Sequence, residues 1–299
     1  MEFRDSIAEK FQQIQNNICR GLEDLDGKSK FQEDLWQRPG GGGGATRIIQ
    51  GGKVLEKGGV NFSKVFGPIP DLIKKEFKTD AEEFFATGVS IVLHPNNPHV
   101  PIIHMNIRYF ELPGTETYWF GGGIDLTPHY IVKDQAKQFH QTLKSVCDKF
   151  KPEAYQEYKT WADNYFFNPH RNETRGVGGI FFDQLKHTEQ ISKQDIEQFV
   201  LGVGNSFLNC YLPIANANKD LPFNEEEKQW QLLRRGRYVE FNLVYDRGTQ
   251  FGLKTGGRIE SILMSLPKLA SWEYDFKPQK NSPEAQTLEL LKKDIDWVA

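Results

Sequence analysis

The stretch Ile102-Ile103-His104-Met105-Asn106-Ile107-Arg108-Tyr109-Phe110-Glu111-Leu112 decides the architecture. Its β-branched and aromatic residues favour a pleated strand. Successive side chains of a strand point to opposite faces. His104, Asn106 and Arg108 therefore share one face, and Met105, Ile107 and Tyr109 share the other. Upstream, Gly88–His94 (GVSIVLH) reads the same way and sets Ser90, Val92 and His94 on one face. A third run, Arg237–Tyr245 (RYVEFNLVY), is predicted as a strand whose Val239, Phe241, Leu243 and Tyr245 form an apolar face that needs cover.

Helices are predicted around these strands. Phe3, Ile7, Phe11, Ile14, Ile18, Leu22 and Leu25 recur at spacings of three and four, the stripe of an amphipathic helix over about 1–26. Further helices are predicted over 80–87, 133–150, 151–167, 192–210, 224–234, 258–266 and 283–298. Gly40–Gly44 is predicted irregular, because glycine weakens regular structure. With neither an internal repeat nor a clean linker, the reading is a single α+β domain over 1–299, a largely antiparallel sheet with helices packed on it.

Composition narrows the function. The chain has 299 residues, 38% hydrophobic and 26% charged, which fits a soluble globular protein rather than a disordered one. A net charge of −3 argues against a nucleic-acid partner. No run approaches the ~18 apolar residues of a transmembrane segment. Cys19, Cys147 and Cys210 form no CxxC pair, which fits a reducing compartment. The N-terminus mixes acidic and basic residues without an apolar core, so the expected location is cytoplasmic.

Several constellations carry chemistry. His, Asn, Arg and Ser on the polar strand faces are unlike the Lys, Glu and Thr of an ordinary solvated face. Tyr118–Pro128 (YWFGGGIDLTP) sets three glycines after aromatic residues, where a ligand or another backbone can approach closely, and Asp125 follows at once. Asp125 could cap a helix, pair with an Arg, or face a cationic or N–H-bearing ligand. Arg beside Gly recurs in HRNETRGVGGIFFD (170–183), RRGR (234–237), DRG (246–248) and TGGR (255–258). A guanidinium fork next to bare backbone N–H groups suits carboxylates, so the set suggests a ligand carrying several of them. Surface salt bridges are the plainer alternative for any one site. Gly21…Gly27-Lys28-Ser29 has the wrong glycine spacing for a phosphate loop, and neither HExxH nor GxSxG occurs. His94, His104, His140 and His170 could ligate a metal, although their spacing matches no compact motif.

The segments WQRPGGGGGATR (36–47), GGVNFS (58–63), ATGVSIVLHPNNPHVPIIHMNIRYFE (86–111), WFGGGIDLTP (119–128), HRNETRGVGGIFFD (170–183) and the run 234–267 resemble oxygen-dependent coproporphyrinogen III oxidase, over about 33–275. Ala162 and Gln184 depart from the residues common in that family. The resemblance implies a flat antiparallel sheet sandwiched between helices, and a homodimer built partly from Tyr238–Tyr274, including Tyr238, Val239, Phe241, Leu243 and Tyr245. It implies that two propionates of coproporphyrinogen III become vinyl groups, giving protoporphyrinogen IX. Dioxygen is then the electron acceptor, carbon dioxide and hydrogen peroxide leave, and no flavin, nicotinamide or haem takes part. His104 and Asp125 are the implied catalytic residues. Ser90, Asn106, Ile107, Arg108, Gly256, Gly257 and Arg258 are the implied substrate contacts. Bacterial members are described with a divalent metal, manganese for example, on histidines matching His94, His104, His140 and His170, and other members as metal-free. A tetrapyrrole carrier without turnover and a His-dependent metallohydrolase are the rival readings.

Overall fold

A computed structural model describes residues 2–69, 74, 79–254 and 256–299. Helix α1 (Phe3–Asp26) is followed by strands β1 (Gln32–Gln37), β2 (Gly42–Gln50), β3 (Leu55–Pro68), β4 (Glu83–Pro95), β5 (Ile102–Glu111) and β6 (Tyr118–Thr127). Helices α2 (Lys133–Cys147) and α3 (Ala154–Tyr165) lead to the short pair β7 (Phe167–Asn168) and β8 (Glu173–Thr174), then to β9 (Gly178–Leu185). Helices α4 (Lys193–Asn218), α5 (Glu225–Val244), α6 (Arg247–Lys254), α7 (Ile259–Leu263) and α8 (Pro283–Leu290) complete the chain. Seven strands form one antiparallel sheet in the order β1-β2-β3-β4-β5-β6-β9. The α+β architecture is the expected one.

The alternation read from β5 sets up the two faces of the sheet. Met105, Ile107 and Tyr109 are buried in a core with Ile7, Phe11 and Ile14 of α1, Phe139 of α2, and Val203 and Phe207 of α4. His104, Asn106 and Arg108 stay partly open on the other face, beneath a layer made by α5 to α7. Burying a side chain such as Ile107 or Phe207 contributes about 1.5–3 kcal/mol each, so a one-residue slip of β5 would exchange the core for the polar set.

Four predicted elements are corrected. Arg237–Tyr245 is helical, the second half of α5. A capping box starts this helix: Asn224 Oδ1 accepts from Glu227 N at 2.9 Å, and Glu227 Oε2 accepts from Asn224 N at 2.8 Å. Trp230, Leu233, Tyr238 and Phe241 then recur at helical spacing and are buried. The alternating apolar face of Val239, Phe241, Leu243 and Tyr245 therefore does not exist: Phe241 is inside, and Leu243 is exposed. Residues 80–87 are not a helix, since Glu83 begins β4. Phe84 and Phe85 sit on opposite faces, Phe84 beside Phe110 and Phe85 beside Tyr109, which hides the strand period. Gly42–Gly44 lies within β2 rather than in an irregular loop. There Trp36 covers Gly44 so closely that a Cβ would stand 2.5 Å from its ring. The final helix also ends at Leu290, and the tail beyond it returns Trp297 to stack on His140 at 6.2 Å.

Candidate active site

The polar face of the sheet is the floor of a cleft. Ser90 and Val92 of β4, His104, Asn106 and Arg108 of β5, and Gly122 and Gly123 of β6 line it from below. Antiparallel register sets Ser90 opposite Asn106 and Asn106 opposite Gly123. Tyr165, Arg175, Phe181 and Asn242 form one wall, and Asp246, Thr249, Ser261, Ile262 and Met264 complete the lining, with Tyr165 Oη donating to Asp246 Oδ1 at 3.0 Å. The roof is pinned to the floor by polar contacts, with Asn61 Nδ2 donating to the Ser261 carbonyl at 2.9 Å and Thr46 Oγ1 2.9 Å from Ser261 Oγ.

At the wall, three charged or ionisable groups are linked in series. His104 and Asp125 face each other across β5 and β6, with Nδ1 2.8 Å from Oδ1. Arg175 grips the same carboxylate with both arms of its fork, Nη2 at 2.6 Å from Oδ1 and Nε at 3.0 Å from Oδ2. Its third nitrogen donates to Asn242 Oδ1 at 2.8 Å. The side chains of Asp125 and Arg175 are only 1% and 2% exposed, while His104 keeps 19%. Phe166, Tyr238 and Phe241 surround the guanidinium, their ring centres 4.4, 4.7 and 4.6 Å away, an arrangement favourable to a buried cation.

Electrostatics follow from this geometry. Burial alone would raise the Asp125 carboxyl, but the Arg175 guanidinium and the His104 hydrogen bond outweigh it and hold it below its ordinary range. An ionised carboxylate only accepts, so His104 Nδ1 must carry the proton it shares with Asp125. Arg175 Nη2, 3.4 Å from Nδ1, is then a neighbour rather than a partner, since both atoms bear hydrogens. Nε2 is left as the nitrogen of His104 available to a bound molecule. Asp125 does not line the cleft itself, so its influence on a ligand passes through His104 and Arg175. Of the alternatives open for Asp125 in the sequence, the structure gives pairing with an Arg.

Ser90, Asn106, Arg108 and His104 are thus brought together. Ile107 is not: its side chain is fully buried on the opposite face, against the position of Gly204 in α4. Gly256, Gly257 and Arg258 lie between α6 and α7 at the margin, and Thr255 lies outside the described residues. Arg258 reaches across to the first two strands, donating to Thr46 Oγ1 at 3.4 Å and pairing with Asp34. Arg175, Asn242 and Tyr165 were not selected from the sequence as site residues. Arg175 stands in a flagged motif, yet its partner Asp125 is fifty residues away, and nothing local marks it as buried.

The four histidines do not fit one metal. His140 lies in the core under β9 with both nitrogens engaged, Nδ1 by Tyr155 Oη and Nε2 by the Val177 carbonyl, each at 2.9 Å. Burial pushes it down to about 4. His94 is buried against the Ser265 carbonyl at 2.8 Å, and His170 is bound to Tyr245 and Glu240. Among the described residues, no three His, Cys, Asp or Glu side chains are grouped to hold a metal ion. Nor is any described helix long and apolar enough to cross a membrane.

Comparison with known proteins gives a consistent result. A family model described as coproporphyrinogen III oxidase matches residues 6–297, extending the resemblance into α1 and the C-terminal tail. The chain is 50% identical to an oxygen-dependent coproporphyrinogen-III oxidase, chloroplastic, of Glycine max, over 99% of this chain and 80% of that protein. It is 49% identical to coproporphyrinogen-III oxidase 1, chloroplastic, of Arabidopsis thaliana, over 95% of this chain and 76% of the relative.

Proposed function

We propose that this chain, which belongs to the coproporphyrinogen III oxidase family, seats its macrocycle on the polar face of the sheet and acts on it through His104, Asp125 and Arg175. The reaction is the oxygen-dependent oxidative decarboxylation of coproporphyrinogen III in haem synthesis. Each propionate that becomes a vinyl group releases carbon dioxide, one proton and two electrons. The two electrons, that proton and a second one taken up from water convert one dioxygen to hydrogen peroxide. Dioxygen is the co-substrate of this reading, with no flavin, nicotinamide or haem, and no step passes through a metal.

The observation that carries the assignment is the chain Arg175–Asp125–His104 at the wall of a cleft floored by Ser90, Asn106 and Arg108. Arg175 keeps Asp125 ionised, Asp125 fixes the His104 tautomer, and Nε2 accepts or returns a pyrrole proton. Polarising the N–H makes the pyrrole a better electron donor to dioxygen. Oxidation of the ring then favours departure of the carboxylate as carbon dioxide. Arg108 binds one propionate, with Asn106 and Ser90 beside it, and Gly256-Gly257-Arg258 takes another at the margin.

Aerobic incubation with anaerobically prepared coproporphyrinogen III tests this reading, with vinyl product expected at an undiminished rate when a strong chelator is present. Binding without product would favour the carrier. Loss of turnover with the chelator would favour metal dependence. In the same assay, Arg108→Ala and Arg258→Ala are expected to raise KM about ten- to a hundredfold with a smaller change in kcat, the loss of one charge-assisted bond each.

The homodimer belongs to the same proposal. Leu243, Val244, Leu269, Trp272 and Tyr274 are all exposed within the segment Tyr238–Tyr274, and a partner surface would give them cover. Sedimentation at micromolar concentration is expected to give a dimer; a monomer alone would remove this part. The three cysteines are buried free thiols, which supports a reducing compartment. The cytoplasm satisfies that, as does the chloroplast interior that the names of both relatives indicate.

A further inference from the structure

Arg108 already holds a carboxylate of its own chain. Its Nη2 lies 2.9 Å from Asp183 Oδ1 on β9, its Nη1 donates to Asn106 Oδ1 at 3.0 Å, and its guanidinium carbon is 5.5 Å from the centre of the Trp119 ring. The neighbouring strand leaves room for this pair. Gly121 stands opposite Arg108 in register, and a Cβ there would lie 2.6 Å from Asp183 Oδ1 and 2.9 Å from Arg108 Nε. Part of the glycine run in YWFGGG is thereby explained: the ion pair passes over a position that any larger residue would fill. Arg258 repeats the pattern with Asp34 of β1.

These pairs differ from Asp125–Arg175. Arg108 and Asp183 are 32% and 26% exposed, so water screens their attraction and the pair is weak. A guanidinium whose charge is balanced attracts a second carboxylate poorly. To take a propionate with its fork, Arg108 must loosen Asp183. The reaction supplies a reason for such a partner, because every turnover destroys a carboxylate of the bound molecule and leaves one cation fewer anions to hold.

We propose that Asp183 is a resident competitor for Arg108: it orients the guanidinium over the polar face, yields it to a substrate propionate by exchange, and reclaims it as the macrocycle re-seats or leaves. The inference rests on Arg108 being a propionate ligand. Asp183 is a specificity-determining residue in this scheme and takes no part in the proton or electron transfers.

Asp183→Asn tests it, since Asn keeps the shape and one accepting oxygen but loses the charge. Affinity is measured with coproporphyrin III, a tetracarboxylate that does not turn over, through quenching of tryptophan fluorescence, alongside KM for the porphyrinogen. Both Kd and KM are expected to fall about two- to fivefold, the range that a weak, partly exposed pair corresponds to. Asp183→Ser should move them in the same direction, and Asp183→Asn should change nothing in an Arg108→Ala background. Unchanged or weakened binding in both Asp183 variants, with Arg108→Ala still raising Kd, would overturn the exchange. Wild-type affinity in Arg108→Ala would instead remove the propionate reading of Arg108 and the exchange with it.

Discussion

Asp125→Asn is expected to lower kcat at least about a hundredfold while leaving KM within a few-fold of wild type. Asn can still accept one hydrogen bond from Arg175, but its amide group is a donor. Wherever that NH2 points, it meets another donor, either the Arg175 fork or His104 Nδ1–H. Imidazole relieves the conflict by moving its proton to Nε2, the nitrogen that should receive a proton from the macrocycle. The substitution also leaves the guanidinium of Arg175 buried without an anion, so a lower melting temperature should accompany the slower chemistry. Rates must therefore be taken per folded molecule at a temperature well below the transition. A variant with turnover within a few-fold of wild type would make the carboxylate purely structural.

Arg175→Met is expected to destabilise the fold by about 3–5 kcal/mol, the usual penalty for removing one partner of a buried pair. Asp125 is then left in an apolar wall with only His104. The double variant Asp125→Asn with Arg175→Met should recover most of that stability, because neither charge remains to be buried. It should recover none of the activity. Equilibrium denaturation of the four proteins separates the two effects; additive losses in the double variant would contradict the coupling. The pH dependence supplies a further sign. In wild type the depressed Asp125 carboxyl contributes stability fully above its unfolded value of about 3.9, and that contribution is lost as pH falls through the lower folded value. Without Arg175 the largest lowering influence is gone and only His104 opposes burial, so the folded value moves up and the variant gains less stability than wild type as pH rises through that window. The gap between the two proteins should widen from pH 4 towards pH 7.

Much of the floor of this site was legible in the sequence, and little of its roof. The alternation is strict from Ile103 to Tyr109, with one face apolar, so β5 and its polar face were readable. Asp125 could be marked but not placed, since YWFGGGIDLT looks like a turn until its neighbours are known. Its glycines stand in a strand because Arg108, Asp183 and Phe182 occupy the space that side chains would take. Arg237–Tyr245 misled for the opposite reason. Its residues favour a strand locally, and the capping signal that makes it a helix lies thirteen residues earlier at Asn224. Treating it as a strand put Phe241 on the face opposite Tyr238 and Asn242, so the aromatic wall around Arg175 was invisible. Arg175 itself looked like one of several surface arginines. A charge is recognised as buried only when its partner is known, and register between distant strands is not written in either segment alone.

The order of strands also governs when the chain becomes an enzyme. Strands β1 to β6 follow one another as neighbours, so each can join the growing sheet by a short connection. β9 pairs with β6 only after residues 128–177 have made their excursion through two helices and a small hairpin. Arg175 arrives at the end of that excursion, and Asn242 later still. Contacts between distant parts of a chain form slowly, so a nascent sheet of six strands would expose Asp125 at an unpaired edge with no cation to meet it. Competence to bind and oxidise the macrocycle is therefore gained late in folding, together with the closing strand, and a half-made chain presents an open edge in place of a reactive cleft.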